Sequence, residues 1–285
     1  MDGGINRVIL CTDGDFNVGV TSQSELVELI EKEAKSGIFL SVLGFGAGNL
    51  NDSTMEKLAD HGNGNYAYID SELEARKVLV EQLGGTLMTI AKDVKIQLDF
   101  NPRLVSAYRL IGYENRTMLN QDFRNDAKDA GEIGAGHTVT AFYEVIPAGV
   151  KSPLVAETRS EFVDNEPRHN ADPRTWLAVN LRYKQPDGDQ ASEFQVRLTD
   201  DSRPFDRADS DLQFASSVAA FGMLLRDSRF AGDLSWDWVI ETAEANCGKD
   251  PQGLRSEFVQ LAKTARRLAS PKSKAGDKHV GYRPD

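Results

Sequence analysis

The chain has 285 residues, 40% of them hydrophobic and 27% charged, proportions that exclude a disordered segment and a membrane protein. Its 44 acidic and 33 basic side chains leave a net charge of −11, so the summed field repels polyanions and nucleic acid is not an expected partner. Two cysteines, Cys11 and Cys247, are too few for a disulfide framework, and no apolar run reaches the roughly 18 residues of a membrane span or forms a signal peptide.

The first third alternates strand and helix patterns. Val8, Ile9 and Leu10 form a short apolar run ending in Thr12-Asp13-Gly14, which predicts a buried parallel strand. Ser22 to Ser36 has helical spacing through Leu26, Val27, Leu29, Ile30 and Ala34, with Thr21 or Ser22 as N-cap and Gly37 as the stop. Ile38 to Leu43 is a second strand, Ser53 to His61 a short helix and Tyr66 to Ile69 a third strand. Ser71 caps a helix predicted over Glu72 to Thr89, with Leu73, Val78, Leu79, Leu83 and Leu87 inward. Strands separated by helices imply right-handed β-α-β crossovers and a parallel sheet.

Beyond Ala91 the period changes to two. Val94, Ile96, Leu98 and Phe100 alternate with Lys95, Gln97 and Asp99, the pattern of an antiparallel strand with one wet face. Val105 to Tyr113, His137 to Ile146, Thr175 to Tyr183 and Glu193 to Leu198 are further strands, and together they predict a β-sandwich. Asp126 to Gly136 and Asp164 to Asp172 are polar loops. From Asp209 the chain turns helical, with an expected apolar stripe of Leu212, Phe214, Ala215, Val218, Ala219 and Leu225. Ser235 and Asp250 cap two more helices, and Trp236, Trp238, Val239 and Ile240 read as core anchors. The basic cluster from Lys263 to Lys278 reads as a solvated helix end and tail. The expected organisation is residues 1–91 as an α/β domain, 92–205 as the β-sandwich, 206–270 as helices packed on it and 271–285 as a disordered tail.

Asp13 is the leading candidate for chemistry. A carboxylate directly after a buried parallel strand lies at the carboxyl edge of the sheet, where open α/β sheets place their sites. Asp15 follows it, and Gly14 allows the sharp turn between them; the plainer reading makes both residues turn formers. A phosphatase with two aspartates after its first strand does not fit, because Cys11 stands where the nucleophilic carboxylate belongs. Gly44-Phe45-Gly46-Ala47-Gly48 lacks the third glycine of a dinucleotide loop, since Asn49 stands in its place. His61, His137, His169 and His279 share no metal-ligand spacing. Glu157, Glu161, Asp164 and Glu166 lack the ordered spacing of a calcium loop and read as solvated.

The segment RVILCTDGDFNVGV, Arg7 to Val20, resembles the fourth strand and following loop of von Willebrand factor type A domains. Gly37-Ile38, Gly44-Phe45-Gly46 and Gly64-Asn65-Tyr66-Ala67-Tyr68 resemble the elements that follow it, and beyond Lys92 the chain is similar to the C-terminal region of the bacterial YfbK-type members. The resemblance implies a partial, Rossmann-like von Willebrand A domain ahead of the sandwich and helices, in the C-terminal portion of a longer protein. It also implies that Asp13 is one ligand of a metal-ion-dependent adhesion site for Mg²⁺. That site's D-x-S-x-S loop does not occur before Asp13, so the expected site is incomplete. The implied function is a non-enzymatic protein-binding, adhesion or scaffold module of the cell envelope or periplasm; the alternative is a small metal-assisted hydrolase working at the same sheet edge. Without its neighbours the Val8 to Leu10 strand becomes an exposed edge, which predicts that the isolated chain dimerises, aggregates or binds the missing half of the domain.

Overall fold

Apolar runs bounded by glycine and polar turns build the first sheet. The computed structural model describes residues 6–14, 22–46, 51–113, 117–126, 128, 130–150, 172–200 and 203–269. Strands β1 (Asn6–Thr12), β2 (Ile38–Phe45) and β3 (Tyr66–Ile69) form a parallel sheet in the order β1-β2-β3, with Thr12 opposite Gly44 and Gly44 opposite Tyr68. Helices α1 (Gln23–Lys35) and α2 (Asp52–His61) connect the strands. Ile30, Val42, Met55, Leu58 and Ala59 make the core between helices and sheet. Ser22 is the α1 N-cap but makes no capping side-chain bond, whereas Asn51 caps α2 by accepting from the Thr54 amide. Gly64 admits the closest approach in this layer, since a Cβ there would lie 1.8 Å from the Leu40 carbonyl oxygen.

The helix expected from Glu72 to Thr89 is broken. Ser71 does cap α3 (Glu72–Arg76), but a π-helical turn follows over Lys77–Glu81, and α4 (Leu83–Leu87) is a separate turn of helix. Gly84 and Gly85 weaken helical continuity here, and Gly85 is also where the backbone of Gly134 packs; a Cβ on Gly134 would lie 1.6 Å from the Gly85 carbonyl oxygen. Strand β4 accordingly begins at Thr89 and runs to Phe100.

Antiparallel pairing dominates the rest, with β5 (Val105–Ile111), β6 (Ile133–Gly134), β7 (Phe142–Pro147), β8 (Thr175–Lys184) and β9 (Ala191–Thr199). The strands that period two marks out form separate sheets, one in the order β6-β4-β8-β9 and one of β5 with β7. In the larger sheet the register sorts side chains cleanly. Ile96, Leu181 and Phe194 form one apolar row, Leu98, Val179 and Val196 a second, and Phe100, Leu177 and Leu198 a third. The opposite face carries Lys95-Arg182-Glu193, Gln97-Asn180-Gln195 and Asp99-Ala178-Arg197.

The alternation does not carry through to burial at the start of β4. Lys95, expected on the wet face, is 3% exposed, while Ile96, expected in the core, is 52% exposed. A register shift falls between Lys92 and Lys95, where Asp93 has φ 52°. Asp93 and Lys95, two residues apart on one face, are both buried and pair with each other.

Two compact units divide the chain discontinuously: Met1–Val105, Asn115–Thr140 and Asp164–Thr199 form one, and Ser106–Glu114, Ala141–Val163 and Asp200–Asp285 the other. The second unit holds β5, β7 and helices α5 (Ser210–Leu225), α6 (Trp236–Ala245) and α7 (Leu254–Ala269). Its core gathers Ala220, Phe221, Val239, Ile240 and Ala262, with Trp236 and Trp238 packed against them. Ser235 caps α6, and Asp250 accepts from the Arg255 and Ser256 amides at the start of α7. The stripe expected on α5 is buried only in part: Phe214 faces inward together with Ser217, Ala220 and Phe221, while Leu212, Val218 and Leu225 are exposed. Apolar residues lie almost all round this helix, so spacing alone does not select a face. Ser217 enters the core because its hydroxyl donates to the Phe214 carbonyl at 2.6 Å.

Candidate functional site

Strand polarity puts three loop starts at one edge of the parallel sheet. Asp13 follows β1, Gly46 follows β2 and Asp70 follows β3, and both carboxylates are exposed. Gly14 adopts φ 106° and its amide donates to Thr12 Oγ1 at 3.1 Å, which makes the sharp turn away from β1. Gly46, with φ 89°, turns the chain after β2 and its carbonyl accepts from the Tyr68 hydroxyl at 2.8 Å. Asp70 was not singled out from sequence, although the signal is the one that marks Asp13, a carboxylate directly after an apolar strand.

Asp13 and Asp70 follow the two outer strands of the sheet, with β2 between them. A Mg²⁺ ion requires six oxygens in near-octahedral order at about 2.1 Å, more than these two carboxylates supply. Among the described residues no three His, Cys, Asp or Glu side chains are grouped to hold a metal. Among the described residues the donors around Asp13 do not make up the full Mg²⁺ site that the resemblance implies. Asp15 and the acidic run from Glu157 to Glu166 lie outside the described residues, as does the tail beyond Ala269.

On the same sheet, Arg7 crosses from β1 to β2. It donates from Nη1 to Ser41 Oγ at 2.8 Å and its guanidinium lies 5.4 Å from the centre of the Phe39 ring. Burial lowers the Arg7 pKa, and Glu132 opposes that shift. Arg7 and Glu132 line a polar crevice with Asn63, Asn65, Thr89 and His137, with room for about one water molecule.

A buried ionic cluster holds the shifted part of β4 to β8. Asp93 lies 3.0 Å from Lys95 Nζ and 2.8 Å from Lys184 Nζ, and Lys95 Nζ also donates to the Asn125 carbonyl at 2.8 Å. Arg182 donates to Asp126 at 2.6 Å and holds that carboxyl below its usual range. Lys95 and Lys184 both pair with the buried Asp93, so the cluster ties β4 to β8.

These features define a mixed α/β protein in which a three-stranded parallel sheet precedes antiparallel sheets, with exposed carboxylates at one sheet edge. No helix among the described residues is long and apolar enough to cross a membrane. The chain belongs to the family described as uncharacterized protein YfbK, C-terminal, whose pattern matches residues 85–268. That match begins at Gly85, just before the antiparallel sheet. The chain is also 39% identical over 266 residues to the uncharacterized protein YfbK of Escherichia coli (strain K12), covering 92% of this chain and 45% of that protein. It thus spans less than half the length of the curated relative it matches.

Proposed function

We propose that this chain is a protein-binding or scaffold module, not an enzyme, and that it docks a partner polypeptide along the open side of β1. The observation that carries the reading is the state of that strand. It pairs with β2 alone among the described strands, and Val8 and Ile9, on its opposite faces, are 51% and 38% exposed. A central strand of a parallel sheet is apolar on both faces because both are covered. An apolar strand left at an edge is a template for another strand, and strand addition is a common mode of peptide recognition.

The resemblance of Arg7 to Val20 to von Willebrand A domains supports a protein-binding role, with residues 1–91 as the C-terminal part of such a domain. In this proposal Asp13, exposed at the end of the docking strand, contributes to recognition at the carboxyl edge. A cation acting there would need ligands besides Asp13.

Turnover is the test. The full chain is assayed on p-nitrophenyl phosphate and p-nitrophenyl acetate, with and without Mg²⁺, beside Asp13→Ala. The expected result is no difference between the two proteins. Hydrolysis abolished in Asp13→Ala would overturn the binding reading in favour of a hydrolase. Amide hydrogen exchange adds a positive readout, with β1 exchanging faster than β2, whose amides are flanked by strands on both sides.

A further inference from the structure

Strand β9 lies at the other end of the molecule's strand order, at the edge of the β6-β4-β8-β9 sheet. It is unusual in one respect: eight of its nine residues are exposed, although every second one is apolar. Phe194, Val196 and Leu198, all on one face, are 51%, 51% and 47% exposed. Natural edge strands are usually blunted by proline, lysine, a bulge or extreme shortness. β9 contains neither proline nor lysine, and apart from a register shift between Thr175 and Leu177 at the Thr199 end it pairs with β8 without a break from Leu177 opposite Leu198 to Lys184 opposite Ala191.

We propose that β9 is a homodimerisation edge, pairing antiparallel with β9 of a second copy about a two-fold axis at Gln195 and joining two four-stranded sheets into one. Two independent requirements select this register. Pairing about an axis normal to the sheet keeps apolar side chains on one face only if paired residue numbers have an even sum. Among such registers, centring on Gln195 sets Glu193 against Arg197 of the partner subunit, and the symmetry repeats that pair. It also sets Phe194 against Val196 of the partner subunit, an aromatic against a β-branched side chain, which is a favourable cross-strand pair. Centring on Phe194 or on Val196 loses the charge match.

The charged groups nearby are compatible with the pairing. Glu193 accepts two bonds from Arg124, at 2.8 and 3.1 Å, which hold its carboxyl ionised below the usual range. Arg197 donates from Nε to Gln195 Oε1 at 2.9 Å, so its guanidinium already lies along the strand toward the axis. The proposal is independent of the docking role given to β1, which lies in a different sheet.

Sedimentation velocity on the full chain over a wide concentration range tests it. Wild type is expected to show a reversible monomer–dimer equilibrium. Arg197→Glu places like charges opposite each other twice and is expected to weaken dimerisation by about tenfold or more. The swap Glu193→Arg/Arg197→Glu restores opposite charges and is expected to return the constant to near wild type. Circular dichroism of each variant separates misfolding from lost association. A chain that stays monomeric at every concentration overturns the proposal, and so does a dimer indifferent to Arg197→Glu. Larger species indifferent to both variants assign association to another surface and likewise overturn it.

Discussion

Replacing Asp93 with asparagine tests the buried staple directly. The substitution keeps the shape and a residue type that tolerates positive φ, which matters at φ 52°, and removes only the charge. What remains is Lys95, whose side chain is 1% exposed, with the Asn125 carbonyl as its partner, and Lys184, 15% exposed, with Asp126 at 3.8 Å. Lys184 can relax toward water. Lys95 cannot, and removing one partner of a buried ion pair costs about 3 to 5 kcal/mol. Because Lys95 keeps one acceptor, the lower end applies, and Asp93→Asn is expected to lose about 3 kcal/mol in urea unfolding at neutral pH. The double variant Asp93→Asn/Lys95→Met removes the stranded charge and replaces it with an apolar chain of similar length, so it should recover most of that loss. The reasoning fails if Asp93→Asn unfolds within about 0.5 kcal/mol of wild type, or if the double variant is no better than the single one.

Further outcomes follow from the same structure. Gly64→Ala drives a methyl group to 1.8 Å from the Leu40 carbonyl and 2.9 Å from the Ser41 amide, both backbone atoms that cannot swing away, and is expected to cost about 3 kcal/mol or more in the same assay. Gly84→Ala meets nothing within 4 Å and should be neutral or stabilising by up to about 1 kcal/mol, the helix-propensity difference. Arg182 holds Asp126 below the ordinary aspartate value of 3.8; a carboxyl depressed on folding adds stability above its unfolded value and loses it as pH falls through the folded one. Arg182→Gln should therefore flatten the fall in stability below about pH 4, measured by thermal melts across pH. Tyr66, whose hydroxyl donates to Asp52, has its pKa raised by burial and that bond. Its absorbance change on alkaline titration is expected to come after that of a free tyrosine, and to precede it in no buffer that leaves the fold intact.

Much of the fold could be read from sequence because its signals were local. The strand candidates Thr175 to Tyr183 and Glu193 to Leu198 fall within β8 and β9, and hydroxyl caps at Ser71 and Ser235 located two helix starts. The losses came where long-range contacts decide. Asp93 and Lys95 are polar residues in an alternating run, and nothing local reveals that both are buried and paired. Helix α5 is apolar nearly all round, so its buried face depends on α6 and α7. The break after Glu81 needs the approach of Gly134 to Gly85, a contact between residues far apart in the chain. At the carboxyl edge, Asp13 was legible from its position after a strand; that Asp70 lies two strands away depends on strand order, which sequence does not carry.

The two open edges differ in chemistry, and that difference predicts independent behaviour. Folding β1 back on a second copy about Ile9 would set Arg7 against Cys11 of the partner subunit and give no charge match; Arg7 is moreover committed to Ser41 on β2. β1 is thus unsuited to pairing with itself and suited to an apolar strand of different sequence, whereas β9 complements its own copy. Val8→Lys places a charge on β1 at a position that is 51% exposed, a device by which natural sheets block edges, and should abolish strand docking there while leaving the concentration dependence of dimerisation unchanged. Arg197→Glu should do the reverse. If Val8→Lys instead abolishes the dimer, the self-pairing edge is β1 and the charge register argued for β9 is refuted. If each variant affects only its own edge, one chain can dimerise through its antiparallel sheet and still hold a second polypeptide on its parallel one.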